Sequence, residues 1–165
     1  MANNTLACAY FEPRLNLKMN PIKRVAVLGG GVAGLQAAKA LRKSGFQAVI
    51  FEKANDIGGI WRSNYQGYGI QVPRSLYEFP DYRASFADFA DGPSVQAYVK
   101  SYANKNGLLN PSMLKLSTEV EKLEPVQGGG WKVKAKSKDG SVSEEKFDFA
   151  VVSTGLYQKP YIPQF

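Results

Sequence analysis

Apolar residues along this chain cluster in short runs whose spacing changes from strand-like to helical and back. Residues 23–28 (KRVAVL) form a β-branched, apolar run that stops at a glycine, which predicts a strand buried on both faces. Val32, Leu35, Ala38 and Leu41 then recur at helical spacing, and Ser44-Gly45 closes that helix. Residues 47–51 (QAVIF) form a second apolar run. Strand, crossover helix and strand make a βαβ unit, whose two strands are expected to be parallel.

Residues 54–92 show neither period. They are rich in Gly, Pro and aromatic side chains, among them Trp61, Tyr68, Tyr77, Phe79 and Tyr82. So long and so apolar a segment is expected to fold over something rather than act as a linker. A helix is predicted over 94–106, with Ser94 as its N-cap, Val95, Tyr98, Val99 and Tyr102 on one face, and Gly107 past its end. A strand is predicted over 115–123. A hairpin follows over 131–138 and 141–147, turning on Asp139-Gly140, and a last strand over 149–153 runs into Thr154-Gly155. The fold class expected is α/β: a Rossmann-like dinucleotide-binding domain with a parallel sheet, a βαβ unit and a β-hairpin or meander.

Composition narrows the function. With 165 residues, 44% hydrophobic and 21% charged, the chain suits one ordinary globular domain. No apolar stretch approaches the roughly 20 residues of a membrane-spanning helix. Net charge is +7, but the excess is spread along the chain, so no nucleic-acid surface is expected. Lys132, Lys134, Lys136 and Lys138 alternate with Trp131, Val133 and Ala135, which predicts a solvated strand face opposite a buried one. Residues 1–21 read as a disordered leader without a targeting signal, so the cytoplasm is the default location. Cys8 is the single cysteine and histidine is absent, which removes disulfides, His-based triads and most metal sites. No catalytic acid or base stands out, and chemistry would come from a cofactor.

The strongest motif lies between the first strand and the first helix. Gly29, Gly31 and Gly34 form G-x-G-x-x-G, and Glu52 follows at the end of the second strand. Gly29 permits a tight turn, Gly31 lets a diphosphate approach the backbone, and Gly34 lets helix and sheet pack closely. The helix N-terminus favours the negative charge. Glu52 can accept hydrogen bonds from a ribose diol and disfavours a 2′-phosphate.

Further on, Gly58-Gly59 with Trp61 (GGIW), then LYEFPDY, and Thr-Gly-x-Tyr-x-x-Pro-x-x-Pro from Thr154, resemble the flavin-containing monooxygenases. The resemblance covers roughly residues 22–165. It implies FAD as cofactor, with Gly29, Gly31 and Gly34 at the diphosphate and Glu52 at the adenosine ribose. Gly58 and Gly59 would admit the cofactor to the backbone, beside Trp61 and Arg62. Val120 would meet the adenine through its backbone, and Thr154 and Gly155 would lie at a strand end near the cofactor. Family members carry an asparagine in the segment after the tryptophan. This chain has GYGIQVPRS there, with Gln71 as the nearest substitute. The family also uses NADPH, held by a second nucleotide fold, and a final strand and helix complete its FAD domain. Neither is in this sequence, so it reads as a partial, truncated FAD-binding domain over 22–165. Self-association through the exposed face is then expected.

The function expected is the FAD-binding portion of an NADPH-using monooxygenase that oxygenates soft nitrogen or sulfur in a small molecule. Alone it is expected to be inactive. Three alternatives stay open: a non-catalytic dinucleotide-binding module or pseudo-enzyme, a fragment of the Baeyer–Villiger type, and an NAD-dependent dehydrogenase with a single nucleotide fold.

Overall fold

A computed structural model describes residues 24–156 and 161–165. The predicted leader, with Cys8, lies outside the described residues.

Strand β1 (Arg24–Leu28), helix α1 (Val32–Lys43) and strand β2 (Gln47–Phe51) form the expected βαβ unit. Its strands pair in parallel, with Ala26 opposite Val49. Helix α2 spans Gly92–Lys105. After it come β3 (Leu114–Lys115), β4 (Thr118–Pro125), β5 (Trp131–Ser137), β6 (Val142–Phe147) and β7 (Phe149–Val152). Two sheets result: a parallel one in the order β3-β2-β1-β7, and an antiparallel meander β4-β5-β6.

Period-two alternation along the parallel strands sends side chains to two different cores. Val27, Ala48 and Ile50 meet Leu35 and Ala38 of α1 and Val95, Val99 and Tyr102 of α2. Ala26, Leu28, Val49 and Phe51 meet Val133, Ala135 and Phe147 of the meander. Strands β1 and β2 are therefore covered on both faces, which is why they read as unbroken apolar runs, whereas the edge strand β7 leaves Phe149 and Val152 exposed. A charged clasp ties the layers together. Arg24 Nη2 reaches Glu145 Oε2 at 2.9 Å, Lys115 pairs with the other oxygen of the same carboxylate, and the Arg24 guanidinium lies 4.5 Å from the Phe147 ring centre.

Several elements differ from the sequence reading, each for a local reason. The cap of α2 is Asp91, whose side chain accepts the Ser94 N–H at 2.8 Å, so the cap lies three residues before the predicted one, with Pro93 fitting the first turn. The single strand predicted over 115–123 is two. Ser117, at φ +50°, breaks it, so that Leu114–Lys115 joins the parallel sheet and Thr118–Pro125 starts the meander. In the hairpin, Ser137 O accepts the Gly140 N–H at 2.9 Å, which puts Lys138 and Asp139, rather than Asp139-Gly140, at the turn centre. On β5, Val133 and Ala135 are buried as expected, and Lys132 faces Glu124 and Glu144 on the polar side.

Candidate functional site

The parallel strands β1 and β7 and the helix α1 converge on one end of the sheet, where a cleft of about 580 Å3 opens. Gly29, Gly31, Glu52, Gly59, Trp61 and Thr154 are among the residues that line it. A smaller hollow of about 240 Å3 adjoins it on the meander side, bounded by Glu52, Lys53, Thr118, Glu119 and Val120. Gly29, Glu52, Thr154 and Gly155 border both, so the two spaces can take one extended ligand.

Each glycine of the first loop has its own physical reason. Gly29 adopts φ +108°, and a Cβ there would stand 2.4 Å from the Ser153 carbonyl oxygen on the neighbouring strand end. At Gly34 a Cβ would lie 1.9 Å from the carbonyl oxygen of Gly29, so only glycine lets α1 sit this close to the strand it leaves. Gly34 does not itself line the cleft. Gly31 is different. Its φ is −77°, an ordinary value, and a Cβ would meet nothing nearer than Gly59 Cα at 3.7 Å. The protein imposes no need for glycine at this position; the space a side chain would fill belongs to the cleft. Gly31 is also the N-cap of α1. No side chain caps that helix and no acidic residue lies in its first turn, so the N–H groups of that turn are left for a partner at the cleft.

Glu52 is buried and held by its own backbone surroundings. Oε2 accepts the Gly30 N–H at 2.7 Å, and Oε1 accepts the Ala54 N–H at 2.8 Å. Each carboxylate oxygen keeps a further lone pair for an incoming hydroxyl. The second glycine turn is tied to the first, because the Gly58 N–H donates to Gly30 O at 2.9 Å. Gly58 adopts φ +117° and Gly59 faces Gly31 across the cleft floor.

Trp61 is buried against Tyr68, whose ring lies 5.8 Å away and whose hydroxyl donates to the Trp61 carbonyl at 2.6 Å. Tyr77 meets the indole edge-on at 5.4 Å. Arg62 points outward and donates to Asn55 Oδ1 at 3.3 Å, outside the cleft lining. Gln71 is exposed and does not line the cleft either. Val120 borders the smaller hollow, and Thr154 and Gly155 follow the end of β7, where ligands of open α/β sheets bind.

The sequence reading overlooked the residues that brace the cleft from behind. The phenol of Tyr98 accepts the Phe79 N–H at 2.7 Å and donates to the Tyr82 carbonyl, fixing the aromatic segment over the cleft. Burial pushes the Tyr98 and Tyr102 phenols up, so both act as neutral hydrogen-bonding groups at ordinary pH. Lys39 is buried under the same segment and pairs with Asp81, and burial, then the charges of Lys43 and Lys105, lower its pKa. Tyr102 donates to Gln36 Oε1 at 2.9 Å, and Gln36 lines the cleft. Gln36 stands one helical turn beyond Val32, so the same periodicity that found α1 could have found it. No spacing rule leads from Lys39 to Asp81 or from Tyr98 to Phe79, since those pairs exist only once the chain has folded.

The arrangement suits one chemistry: a diphosphate over Gly31 and the α1 N-terminus, and a ribose diol at Glu52. The family model "Flavin-binding monooxygenase-like" matches residues 22–165. The flavin-containing monooxygenase FMO GS-OX3 of Arabidopsis thaliana is 29% identical over 85% of this chain and 36% of its own length. Among solved structures, the S-allyl-L-cysteine S-oxygenase of Allium sativum superposes with a TM-score of 0.79 at 29% identity, covering 86% of this chain and 38% of that one. An oxidized steroid monooxygenase bound to NADP gives a TM-score of 0.70 at 26% identity, over 86% of this chain and 27% of that one. The chain thus spans about a third of the length of the curated relatives it matches. No helix among the described residues is long and apolar enough to cross a membrane.

Proposed function

The chain belongs to the flavin-binding monooxygenase-like family, and from that membership we propose that it provides the FAD-binding part of an NADPH-using monooxygenase that oxygenates soft nitrogen or sulfur nucleophiles. The observation that carries the reading is Gly31. It has ordinary backbone angles, and a side chain there would meet only Gly59 at an ordinary contact distance, at the uncapped N-terminus of α1 beside the cleft. A residue with no protein reason to be glycine fits a ligand that must touch the backbone.

The residues present fit FAD. Gly29, Gly31 and the α1 N-terminus would hold the diphosphate, Glu52 the adenosine ribose, and Val120 and Thr118 would flank the adenine in the smaller hollow. Gly58, Gly59 and Trp61 would carry the remainder along the larger cleft, with Thr154 and Gly155 at the strand end. When bound, the flavin supplies the redox and oxygen-activating chemistry. This chain's residues bind and orient it, and the buried rings of Trp61 and Phe79 keep water from one side of the cleft. The sulfur oxygenation named for the Allium protein supports a soft-nucleophile substrate. NADPH and substrate would engage parts of a longer enzyme, as in relatives about three times this length.

The test is a visible absorption spectrum of the chain after incubation with FAD and removal of free cofactor. Retained flavin in stoichiometric amount supports the reading. A chain folded by circular dichroism that retains none refutes it.

A further inference from the structure

Helix α2 touches the cofactor cleft in a way that neither the glycine motifs nor the family comparison assigns. Gln96 donates from Nε2 to the carbonyl oxygen of Ile57 at 2.7 Å, immediately before the Gly58-Gly59 turn. Its other amide atom, Oε1, is buried and takes no hydrogen bond among the described residues. That oxygen lies against the Cα of Gly58, where an added Cβ would come within 1.9 Å of it. The reverse amide orientation would set two oxygens 2.7 Å apart at Ile57, so the donor must face Ile57 and the orphaned oxygen must face Gly58.

A buried acceptor without a partner is costly, and a fold keeps one only where the group serves something else. Here it sits in a chain of contacts. One turn further along α2, Lys100 pairs with Asp56 at 2.5 Å, so Gln96 and Lys100 grip the same loop from one helix face. The Gly58 N–H donates to Gly30 O at 2.9 Å, and Gly59 lies opposite Gly31. The amide of Gln96 therefore sets how far the second glycine turn stands from the first.

We propose that Gln96 is a positioning residue for the diphosphate seat: it anchors Ile57 and props Gly58, so that the Gly58-Gly59 turn is held against Gly31 at the rim of that seat before the cofactor arrives. It does not touch the cofactor. The inference rests on the FAD reading above. It predicts that loss of the Gln96 amide weakens ligands that reach past the diphosphate seat and spares ligands confined to the adenosine hollow.

The experiment compares the wild-type chain with Gln96→Met, of similar length but without hydrogen bonding, by titration with FAD and separately with AMP. FAD affinity should fall about five- to tenfold, the worth of one such hydrogen bond, while AMP affinity stays the same. Gln96→Glu adds a comparison within a single protein. A protonated carboxyl can donate to Ile57 O and an ionised one cannot, so FAD affinity of that variant should recover on acidification. The same pH steps on the wild type control for Asp56 and Lys100. Gln96→Met binding FAD as tightly as wild type overturns the proposal, as does parallel loss of FAD and AMP, which would mark general destabilisation. If Gln96→Met does not fold, a Gln96→Glu variant whose FAD affinity does not respond to pH overturns it. A folded wild type that binds no FAD refutes the cofactor reading itself, and this inference with it.

Discussion

Gly31→Ala separates a glycine needed by a ligand from one needed by the fold. The new methyl group would stand 3.7 Å from Gly59 Cα, an ordinary contact, and the backbone angles of φ −77° and ψ −176° suit alanine. At an N-cap, alanine is less favourable than glycine by roughly a kcal/mol or less. The reduced freedom of the unfolded chain returns about 0.4–1 kcal/mol. The two effects nearly cancel, so thermal unfolding of Gly31→Ala should fall within a few degrees of wild type. Binding should behave otherwise. The methyl group occupies the approach to the α1 N-terminus and holds a diphosphate away from at least one backbone N–H. A hydrogen bond to a charged group is worth about 1.5–3 kcal/mol, which corresponds to a loss of roughly ten- to 150-fold in FAD affinity. Isothermal titration with FAD and a circular dichroism melt, on the same preparation, measure both. A Gly31→Ala chain that binds FAD like wild type would show that no diphosphate lies over this residue. A variant that fails to fold would show that Gly31 serves packing.

The opposite behaviour is expected of Gly34→Ala. Its methyl would lie 1.9 Å from the Gly29 carbonyl oxygen, so α1 must move off the sheet; overpacking of this kind costs about 3 kcal/mol and should lower the melting temperature by roughly 10 °C. Glu52→Ala strips the acceptors from the Gly30 and Ala54 N–H groups, so it should lose about 2 kcal/mol or more in denaturant unfolding and weaken AMP as well as FAD. Glu145 gives a pH signature. Burial alone would raise its pKa, but Lys115 and then Arg24 outweigh that and hold it below the ordinary 4.5. A carboxylate whose pKa is lowered by folding adds stability that is complete above about pH 4.5 and is lost as pH falls through the lower, folded-state value. Wild type should therefore lose stability on acidification below that point, and Glu145→Gln should be about 1 kcal/mol weaker at neutral pH, the pair being partly exposed, with a flatter acid profile. Equal slopes for the two proteins would refute the clasp.

Much of this protein is local, and the local part was legible. The unbroken apolar runs in 23–28 and 47–51, the helical period from Val32 and the glycines between them follow from steric rules acting within a few residues. They determined β1, α1 and β2 to the residue at nearly every end. The same holds for the apolar face of α2, although its cap lies three residues upstream, where Asp91 accepts the Ser94 N–H. What the local rules could not carry is long-range. Leu114–Lys115 and Thr118–Pro125 read as one strand, and only pairing with two different sheets divides them at Ser117. Nothing near Lys39 in sequence marks it for burial, and its partner Asp81 lies 42 residues away. Gln96 carries no motif; its role depends on where α2 places it against Ile57 and Gly58.

The glycine motif shows the division most clearly. The sequence by itself determined that a glycine-rich turn joins a buried strand to a helix, since spacing and residue type are sufficient for that. Only the tertiary structure decided what each glycine is for. A Cβ at Gly29 collides with the Ser153 carbonyl beyond β7 and one at Gly34 with the Gly29 carbonyl that α1 packs against, whereas at Gly31 it makes only an ordinary contact with Gly59. Which atoms surround a missing side chain is a property of the packed chain, and no pattern of residues along the sequence records it.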